Sequence, residues 1–251
     1  MTSLLPEPPP KNTITDIFIF LKRPNLELRH DDRPKDKIKI FLKILLILFL
    51  IVVVINGVIL IFSTIISLWG HSNIVKPSTL KVYNNNNFTL LSLFVLVILG
   101  PLVEEFSFRF ALTRFNINKI KISLSLIISC FISCVLYFYI FQKYVTNFPL
   151  YVLYFYVPIF VISVLLFFAI GMFNKQFIVV GVKWNKYFPA IFYISAILFA
   201  ICHIFSISDL RILSVVVAGA MFGYTRIRLG FGYSIFLHML WNSFHLLRYV
   251  V

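Results

Sequence analysis

Acidic residues, and charged residues in general, are scarce in this sequence. Its 251 residues include only nine Asp and Glu, and 13% of the chain is charged, whereas an average soluble domain is about 25% charged. Hydrophobic residues make up 60% of the chain. This composition excludes a soluble globular domain and a disordered chain. The three cysteines lie inside apolar runs, which argues against a disulfide framework or a zinc ribbon; they are Cys130, Cys134 and Cys202.

Basic residues, in contrast, are abundant, since 23 Lys and Arg give a formal net charge of +14. In a soluble protein this excess would suggest nucleic acid as a partner. In so apolar a chain it instead indicates basic loops that face anionic lipid. We therefore expect a lipid bilayer, and no nucleic acid, as a partner, and the sequence makes no prediction of the oligomeric state.

Long apolar runs recur along the chain, and a membrane-spanning helix needs about 20 such residues. The sequence therefore predicts an all-α fold, a polytopic transmembrane helical bundle of seven to eight spans. The runs cover residues 40–69, 88–112, 120–141, 150–172, 188–206, 211–224 and 231–250.

Residues 1–38 differ from the rest, because they hold six of the nine acids and a proline-rich start. We expect a solvated, cytoplasmic N-terminal tail at 1–38 and a transmembrane domain at 39–251. The apolar run 14–21 is too short to cross a membrane and is expected at its surface. With the tail inside, 17 Lys and Arg fall on the cytoplasmic side and five on the other, which favours this orientation. Abundant Ile, Lys, Asn and Phe suggest an AT-rich, bacterial genome. We therefore expect a bacterial plasma membrane as the location.

Two of the three acids that follow Asp36 are adjacent inside an apolar run: Glu104 and Glu105. One carboxylate near the middle of a span costs about 2.5 to 3.5 kcal/mol, so such groups usually face the protein interior and serve a function. On a helix, Glu105 and Arg109 are four residues apart and can pair, whereas Glu104 projects about 100° away. Glu104 is therefore the carboxylate without a local partner, and it suits a general base or acid. An interhelical ion-pair cluster that only fixes packing is the structural alternative.

Three of the five histidines lie in the last apolar runs: His203, His238 and His245. His238 and Asn242 are four residues apart and share a helical face, and His245 lies on that face one turn further on. A lone intramembrane histidine is more often a hydrogen-bonded core residue. Together with a buried Glu pair, however, the set contains a base, proton carriers and neutral donors, the groups needed to activate a water and stabilise an oxyanion.

Three motifs in this order resemble those of the CAAX protease and bacteriocin-processing family (CPBP, or Abi) of intramembrane endopeptidases. Residues 104–109 fit its EExxxR motif, residues 199–203 its FxxxH motif and residues 238–242 its HxxxN motif. The resemblance covers about residues 95 to 245 and implies an enzyme that hydrolyses a peptide or membrane-protein substrate.

The resemblance also implies roles for individual residues. Glu104 would activate the hydrolytic water with help from His203, while His238 and Asn242 would stabilise the tetrahedral oxyanion. This assignment agrees with the helical geometry, in which Glu104 is the carboxylate without a local partner.

Three further residues are expected to support this site. The resemblance implies that Glu105 and Arg109 hold the motif helix in place, and we expect a supporting role for His245. The family is often described as a metalloprotease, and two His and one Glu could form a zinc site. The candidate ligands are Glu104, His203 and His238. Because Asn is a poor zinc ligand, we favour a glutamate-activated water, with a divalent metal such as zinc as the open option.

The spacing of the motifs departs from the family pattern, since Glu104 and His203 are 99 residues apart with two additional apolar runs between them. Measured from the centres of the predicted spans, Glu104 lies about 6 Å towards the inside and His203 about 8 Å towards the outside, at 1.5 Å per residue. Straight, upright helices would keep them apart. A break at Gly100-Pro101, helix tilt or different span boundaries must bring them together.

Other functions are compatible with parts of this pattern. A secondary transporter or ion-coupled carrier also uses intramembrane Glu, Arg and His as a proton relay, although it predicts broken helices in corresponding halves of the chain. A catalytically silent scaffold or immunity protein could retain the motifs. Gly232-Tyr233-Ser234 resembles the serine motif of rhomboid proteases, but a serine mechanism leaves the two glutamates unexplained. CAAX ends, peptide pheromones and bacteriocin leaders all stay open as substrates.

Overall fold

The computed structural model describes residues 12–26, 34–68, 90–141, 148–203 and 212–250, and regular structure in these ranges is helical throughout. Two π-helical segments, Val95–Leu99 and Tyr137–Phe141, continue α3 and α5. The helices are α1 (Thr13–Lys22), α2 (Pro34–Leu68), α3 (Leu90–Phe94), α4 (Gly100–Phe108), α5 (Ile117–Leu136), α6 (Phe148–Gly171), α7 (Asn174–Val182), α8 (Trp184–Cys202), α9 (Ile212–Arg228) and α10 (Phe231–Val250).

The predicted helical membrane bundle is confirmed. In the described ranges, five helical stretches are long and apolar enough to cross a membrane. They are Lys35–Ile66, Leu90–Phe108, Ile117–Leu136, Val152–Gly171 and Trp184–Cys202. The last two predicted runs are also helices, α9 with 17 residues and α10 with 20, but they are not among these five. Many residues of α9 are buried, so this helix packs mainly against protein.

Helix α9 packs against α2, α8 and α10. Two glycines on α9 allow this close approach, since small residues let transmembrane helices pack tightly. A Cβ atom added at Gly223 would lie 2.7 Å from Cε2 of Phe192 on α8, and one added at Gly219 would lie 3.0 Å from Cδ1 of Phe199. The α8 aromatic rings thus occupy the space that larger α9 side chains would need.

Helix α1, within the N-terminal segment predicted as a solvated tail, packs one face against the bundle. Within α1, Ile17 and Phe20 are buried, and so is the carboxylate of Asp16. Tyr224 on α9 donates a 2.6 Å hydrogen bond to Asp16 Oδ2, and Nε of Arg228 lies 3.3 Å from the same atom. The acids and prolines of this segment suggested solvation, but the partner that compensates Asp16 is more than 200 residues away in the sequence. The cytoplasmic location and the boundary at residue 38 stay predictions.

The Gly100-Pro101 pair marks a change of helical register. It follows the π-helical segment Val95–Leu99, in which the N–H of Gly100 donates to the Val95 carbonyl five residues earlier. The α-helix then restarts with Pro101 in its first turn, where a missing N–H is tolerated. The following nine-residue helix, α4, ends at Phe108. It therefore contains the whole EExxxR motif except the last residue, Arg109.

Candidate active site

Helix α4 holds Glu105 in the protein interior. Glu105 and Arg109 are both fully buried, and Nη1 of Arg109 lies 3.3 Å from Oε1 of Glu105. The pairing expected from their four-residue spacing is therefore present. Ser234, at 0% exposure on α10, donates a hydrogen bond to Oε2 of Glu105. Both oxygens of this carboxylate are thus engaged by the protein.

Arg109 also connects three helices. Its guanidinium carbon lies 3.9 Å from the centroid of the Phe199 ring on α8. Its Nη2 lies 3.4 Å from the carbonyl oxygen of Gly219 on α9. Its own carbonyl accepts a 3.2 Å hydrogen bond from Nε of Arg226, also on α9. These contacts keep the end of α4 in a fixed position relative to α8 and α9.

His238 on α10 lies between the two glutamates. Its Nδ1 is 3.0 Å from Oε1 of Glu105, and its Nε2 is 3.4 Å from Oε2 of Glu104. The ring stacks on Phe222, with centroids 4.5 Å apart. As the partner of Arg109, Glu105 is a carboxylate, and a carboxylate only accepts hydrogen bonds. Nδ1 of His238 therefore carries a hydrogen and donates the hydrogen bond to Glu105. This contact orients Nε2 towards Glu104.

His203 approaches Glu104 from α8. It caps the C-terminal end of that helix, and its Nδ1 lies 2.8 Å from the Phe199 carbonyl oxygen. A carbonyl can only accept, so Nδ1 is the donor, and Nε2 of a neutral His203 is an acceptor. That Nε2 lies 3.8 Å from Oε2 of Glu104. This separation is too long for a direct hydrogen bond.

Glu104 is the more open of the two carboxylates. Its side chain is 27% exposed, whereas that of Glu105 is fully buried. Its Oε2 atom is buried and forms no hydrogen bond within the described part of the chain, although it faces two imidazole rings. An oxygen that faces two nitrogens without a direct hydrogen bond is a suitable place for a polar molecule such as water.

The structure resolves the difference in depth that the sequence predicted between Glu104 and His203. Helices α4 and α8 run antiparallel, since Glu104 faces His203, the Phe108 carbonyl accepts from Ser195, and the Thr113 carbonyl accepts from Trp184. Helix α4 ends four residues before the predicted boundary, and α8 both begins and ends four residues before its own. The predicted boundaries were therefore wrong. The two residues lie at the same level because α4 ends opposite the middle of α8, where its last residue, Phe108, meets Ser195.

Asn242 and His245 follow His238 on α10. Nδ2 of Asn242 donates a 3.0 Å hydrogen bond to the carbonyl oxygen of Leu96, in the π-helical segment before α4. The ring of His245 lies edge-on against Trp241, with centroids 4.8 Å apart. The structure thus joins Asn242 to the backbone that precedes the glutamates, while the contact described for His245 is with its own helix.

Ser234 is the residue whose role the sequence did not reveal. Only its place in a rhomboid-like tripeptide drew attention to it, whereas the structure places its hydroxyl on Glu105. One sequence signal was available, because Ser234 is four residues before His238 and therefore lies on the same face of α10. Both side chains contact the same carboxylate.

The candidate zinc ligands Glu104, His203 and His238 do lie together. Within the described ranges, however, no group of three or more His, Cys, Asp or Glu side chains has an arrangement that could hold a metal ion. His238 is only 2% exposed and is held by Glu105 and by the Phe222 ring. A divalent metal at these residues stays a prediction, and we derive no step through one.

Fold and site together define a helical membrane protein with a buried glutamate and histidine centre. The family model of the type II CAAX prenyl endopeptidases, described as Rce1-like, matches residues 159–244. That range includes His203, His238 and Asn242, and it begins after Glu104. The match confirms the resemblance predicted from the motifs and supports an intramembrane endopeptidase. No curated protein and no solved structure gives a match.

Proposed function

We propose that this protein is an intramembrane endopeptidase in which Glu104 and His203 activate a water molecule. The observation that carries the proposal is the pair of separations at Oε2 of Glu104, 3.4 Å to Nε2 of His238 and 3.8 Å to Nε2 of His203. Glu104 and neutral His203 both present acceptors, so one water can donate one hydrogen bond to each and direct its oxygen at a carbonyl carbon.

Charge balance assigns a different state to His238. The centre contains two carboxylates, and Arg109 compensates one of them. A protonated His238 compensates the other, donating from Nδ1 to Glu105 and from Nε2 towards Glu104. This state leaves the buried cluster neutral overall, which avoids the large cost of an uncompensated charge in low dielectric. It also makes Nε2 a donor for negative charge that develops on the substrate.

The proposed reaction has two steps. Water transfers a proton to Glu104 as its oxygen bonds to the peptide carbonyl carbon, and the resulting oxyanion accepts hydrogen bonds from Nε2 of His238 and Nδ2 of Asn242. The C–N bond then breaks as Glu104 returns the proton to the leaving nitrogen, giving a carboxylic acid and an amine. Glu105 and Arg109 hold the centre in place, and His245 supports α10.

The proposed substrate is a membrane-bound peptide that is cleaved near the membrane plane. The matched family model is named for prenylated CAAX ends, which makes a farnesylated CAAX peptide the first substrate to test. Peptide pheromones and bacteriocin leaders follow as further classes. We further propose that the N-terminal side faces the cytoplasm, in agreement with the distribution of Lys and Arg.

Substitution of Glu104 by Gln tests this function. The protein is reconstituted in lipid nanodiscs and given a farnesylated CAAX peptide, and the membrane peptidome is compared in cells with and without the protein. Glu104→Gln removes the base while keeping the shape of the side chain, so we expect a folded, inserted protein whose cleavage is lost. Asp36→Asn, which changes an acid at the start of α2, is the matched control and should cleave normally. Retained cleavage by Glu104→Gln defeats the proposal.

A further inference from the structure

One backbone carbonyl next to the site lacks a helical donor. In α-helical register, the Leu96 carbonyl would accept from the N–H of Gly100, but this N–H donates to the Val95 carbonyl instead. In π-helical register, the donor would come from residue 101, which is a proline without an N–H. The Leu96 oxygen is therefore unpaired in both registers. An unsatisfied carbonyl within a membrane costs several kcal/mol, so it needs another partner.

Asn242 provides that partner from α10. Its Nδ2 lies 3.0 Å from the Leu96 oxygen. Because a carbonyl only accepts, this contact determines which end of the amide faces Leu96, namely the NH₂ group. An NH₂ group carries two N–H bonds, and the contacts of the described residues use one of them. The other is directed away from Leu96 by the planar geometry of the amide.

We propose that Pro101 and the Leu96 carbonyl form a positioning device that holds the Asn242 amide with its second N–H ready for the substrate oxyanion. This inference rests on the endopeptidase function proposed above, in which Asn242 is an oxyanion donor. Pro101 is then a positioning residue, since it acts only through Asn242. A donor that is already oriented needs no reorganisation during the reaction, which is how such groups stabilise a developing charge most effectively.

The residue before Pro101 belongs to the same device. A Cβ atom added at Gly100 would lie 3.2 Å from the Val95 oxygen and 3.5 Å from the Tyr156 hydroxyl. Glycine therefore leaves room for the Val95 oxygen, which accepts the hydrogen bond from the N–H of residue 100. Gly100 and Pro101 thus together withhold both helical donors from Leu96.

A double-mutant cycle between Pro101 and Asn242 tests the inference in the full-length protein in nanodiscs, with the farnesylated CAAX peptide as the probe. Pro101→Ala supplies the missing N–H, so Leu96 no longer needs Asn242. We expect kcat to fall at least about tenfold with KM unchanged. Asn242→Ala should lower kcat by about 10² to 10³, as loss of an oxyanion donor does. The double variant should be no slower than Asn242→Ala alone.

Pro158→Ala is the matched control, because Pro158 also lies inside a helix, α6, and that helix carries none of the proposed site residues. This variant should cleave like the parent protein. Independent, multiplicative losses of kcat for Pro101→Ala and Asn242→Ala would overturn the inference.

Thermal unfolding of the same variants gives a readout that needs no cleavage. Asn242→Ala should lower Tm clearly when residue 101 is Pro and much less when it is Ala, because Leu96 then has a backbone donor. Equal losses of Tm in the two backgrounds overturn the inference even if Glu104→Gln abolishes cleavage. Conversely, coupled Tm changes support the positioning device even if Glu104→Gln retains cleavage and the proposed function fails.

If Pro101→Ala does not fold, the variant Asn242→Leu decides. Its side chain has a similar size and no hydrogen-bond donor for the Leu96 oxygen, so Asn242→Leu should have a lower Tm than the parent protein. A Tm equal to that of the parent protein would overturn the inference.

Discussion

Arg109 lies against the face of the Phe199 ring, with its guanidinium carbon 3.9 Å from the ring centroid, while its Nη1 pairs with Glu105 at 3.3 Å. Both charges are fully buried. A cation over an aromatic face gains electrostatic attraction that is strongest where water is excluded. Phe199 and His203 belong to one motif, so this contact connects the first and second motifs of the site through the packing of α4 on α8.

The first prediction concerns this buried ion pair. Arg109→Ala leaves Glu105 as an uncompensated buried charge, and we expect a loss of about 3 to 5 kcal/mol in the free energy of unfolding. The double variant Arg109→Met with Glu105→Gln removes both charges and should recover much of that loss. Unfolding of the purified protein by denaturant in detergent micelles measures both. A double variant less stable than Arg109→Ala would contradict the pairing.

The second prediction separates a supporting serine from a nucleophilic one. Ser234 donates to Oε2 of Glu105, and a hydrogen bond to a charged group contributes about 1.5 to 3 kcal/mol. Ser234→Ala should therefore lower Tm and reduce kcat, yet leave measurable cleavage. Peptide cleavage and labelling with a fluorophosphonate probe are measured together. Complete loss of activity, combined with labelling of the parent protein at Ser234, would instead indicate a serine mechanism.

The third prediction concerns the N-terminal helix. Asp16→Ala leaves the side chain of Arg228, 7% exposed, without the carboxylate that lies 3.3 Å from it. We expect a destabilisation of about 3 to 5 kcal/mol, as for other broken buried pairs. Lys22→Ala, at an exposed position of α1, is the control and should change stability little. Unchanged thermal unfolding of Asp16→Ala would mean that α1 is not part of the folded unit.

The fourth prediction concerns the contact of α9 with α8. An alanine at Gly223 would place its Cβ 2.7 Å from the Phe192 ring, which packs against Phe20. Gly223→Ala should therefore cost about 1 to 3 kcal/mol through overpacking. Gly57→Ala on α2, where a Cβ atom meets nothing within 4 Å, should be neutral or stabilising. Equal thermal stabilities of the two variants would contradict the close approach of α9 and α8.

Local sequence patterns predicted a large part of the site. Residues four apart on a helix share a face, so the pairing of Glu105 with Arg109 and the common face of His238 and Asn242 followed from spacing alone. The same rule applies to Ser234 and His238, but nothing in the local pattern shows that a serine hydroxyl points at a carboxylate on another helix. Its contact with Glu105 joins residues 129 positions apart.

Span boundaries were predicted less well, and the reason is physical. Apolar residues continue beyond Phe108, so composition extended the helix to residue 112, whereas the chain leaves the helix there and buries Leu112 in the bundle. Burial inside a protein and burial in lipid select the same apolar side chains. Hydropathy alone therefore cannot distinguish them.

The sequence by itself determined that this chain is a helical membrane protein and that Glu105, not Glu104, pairs with Arg109, because apolar runs and helical spacing are local properties. Only the tertiary structure decided that Glu104 faces His203 and His238. It also decided that Asp16 of α1 is buried against α9 and that Asn242 donates a hydrogen bond to the Leu96 carbonyl. Each of these contacts joins residues about 100 or more positions apart. Their existence depends on how the helices pack, which no local pattern specifies.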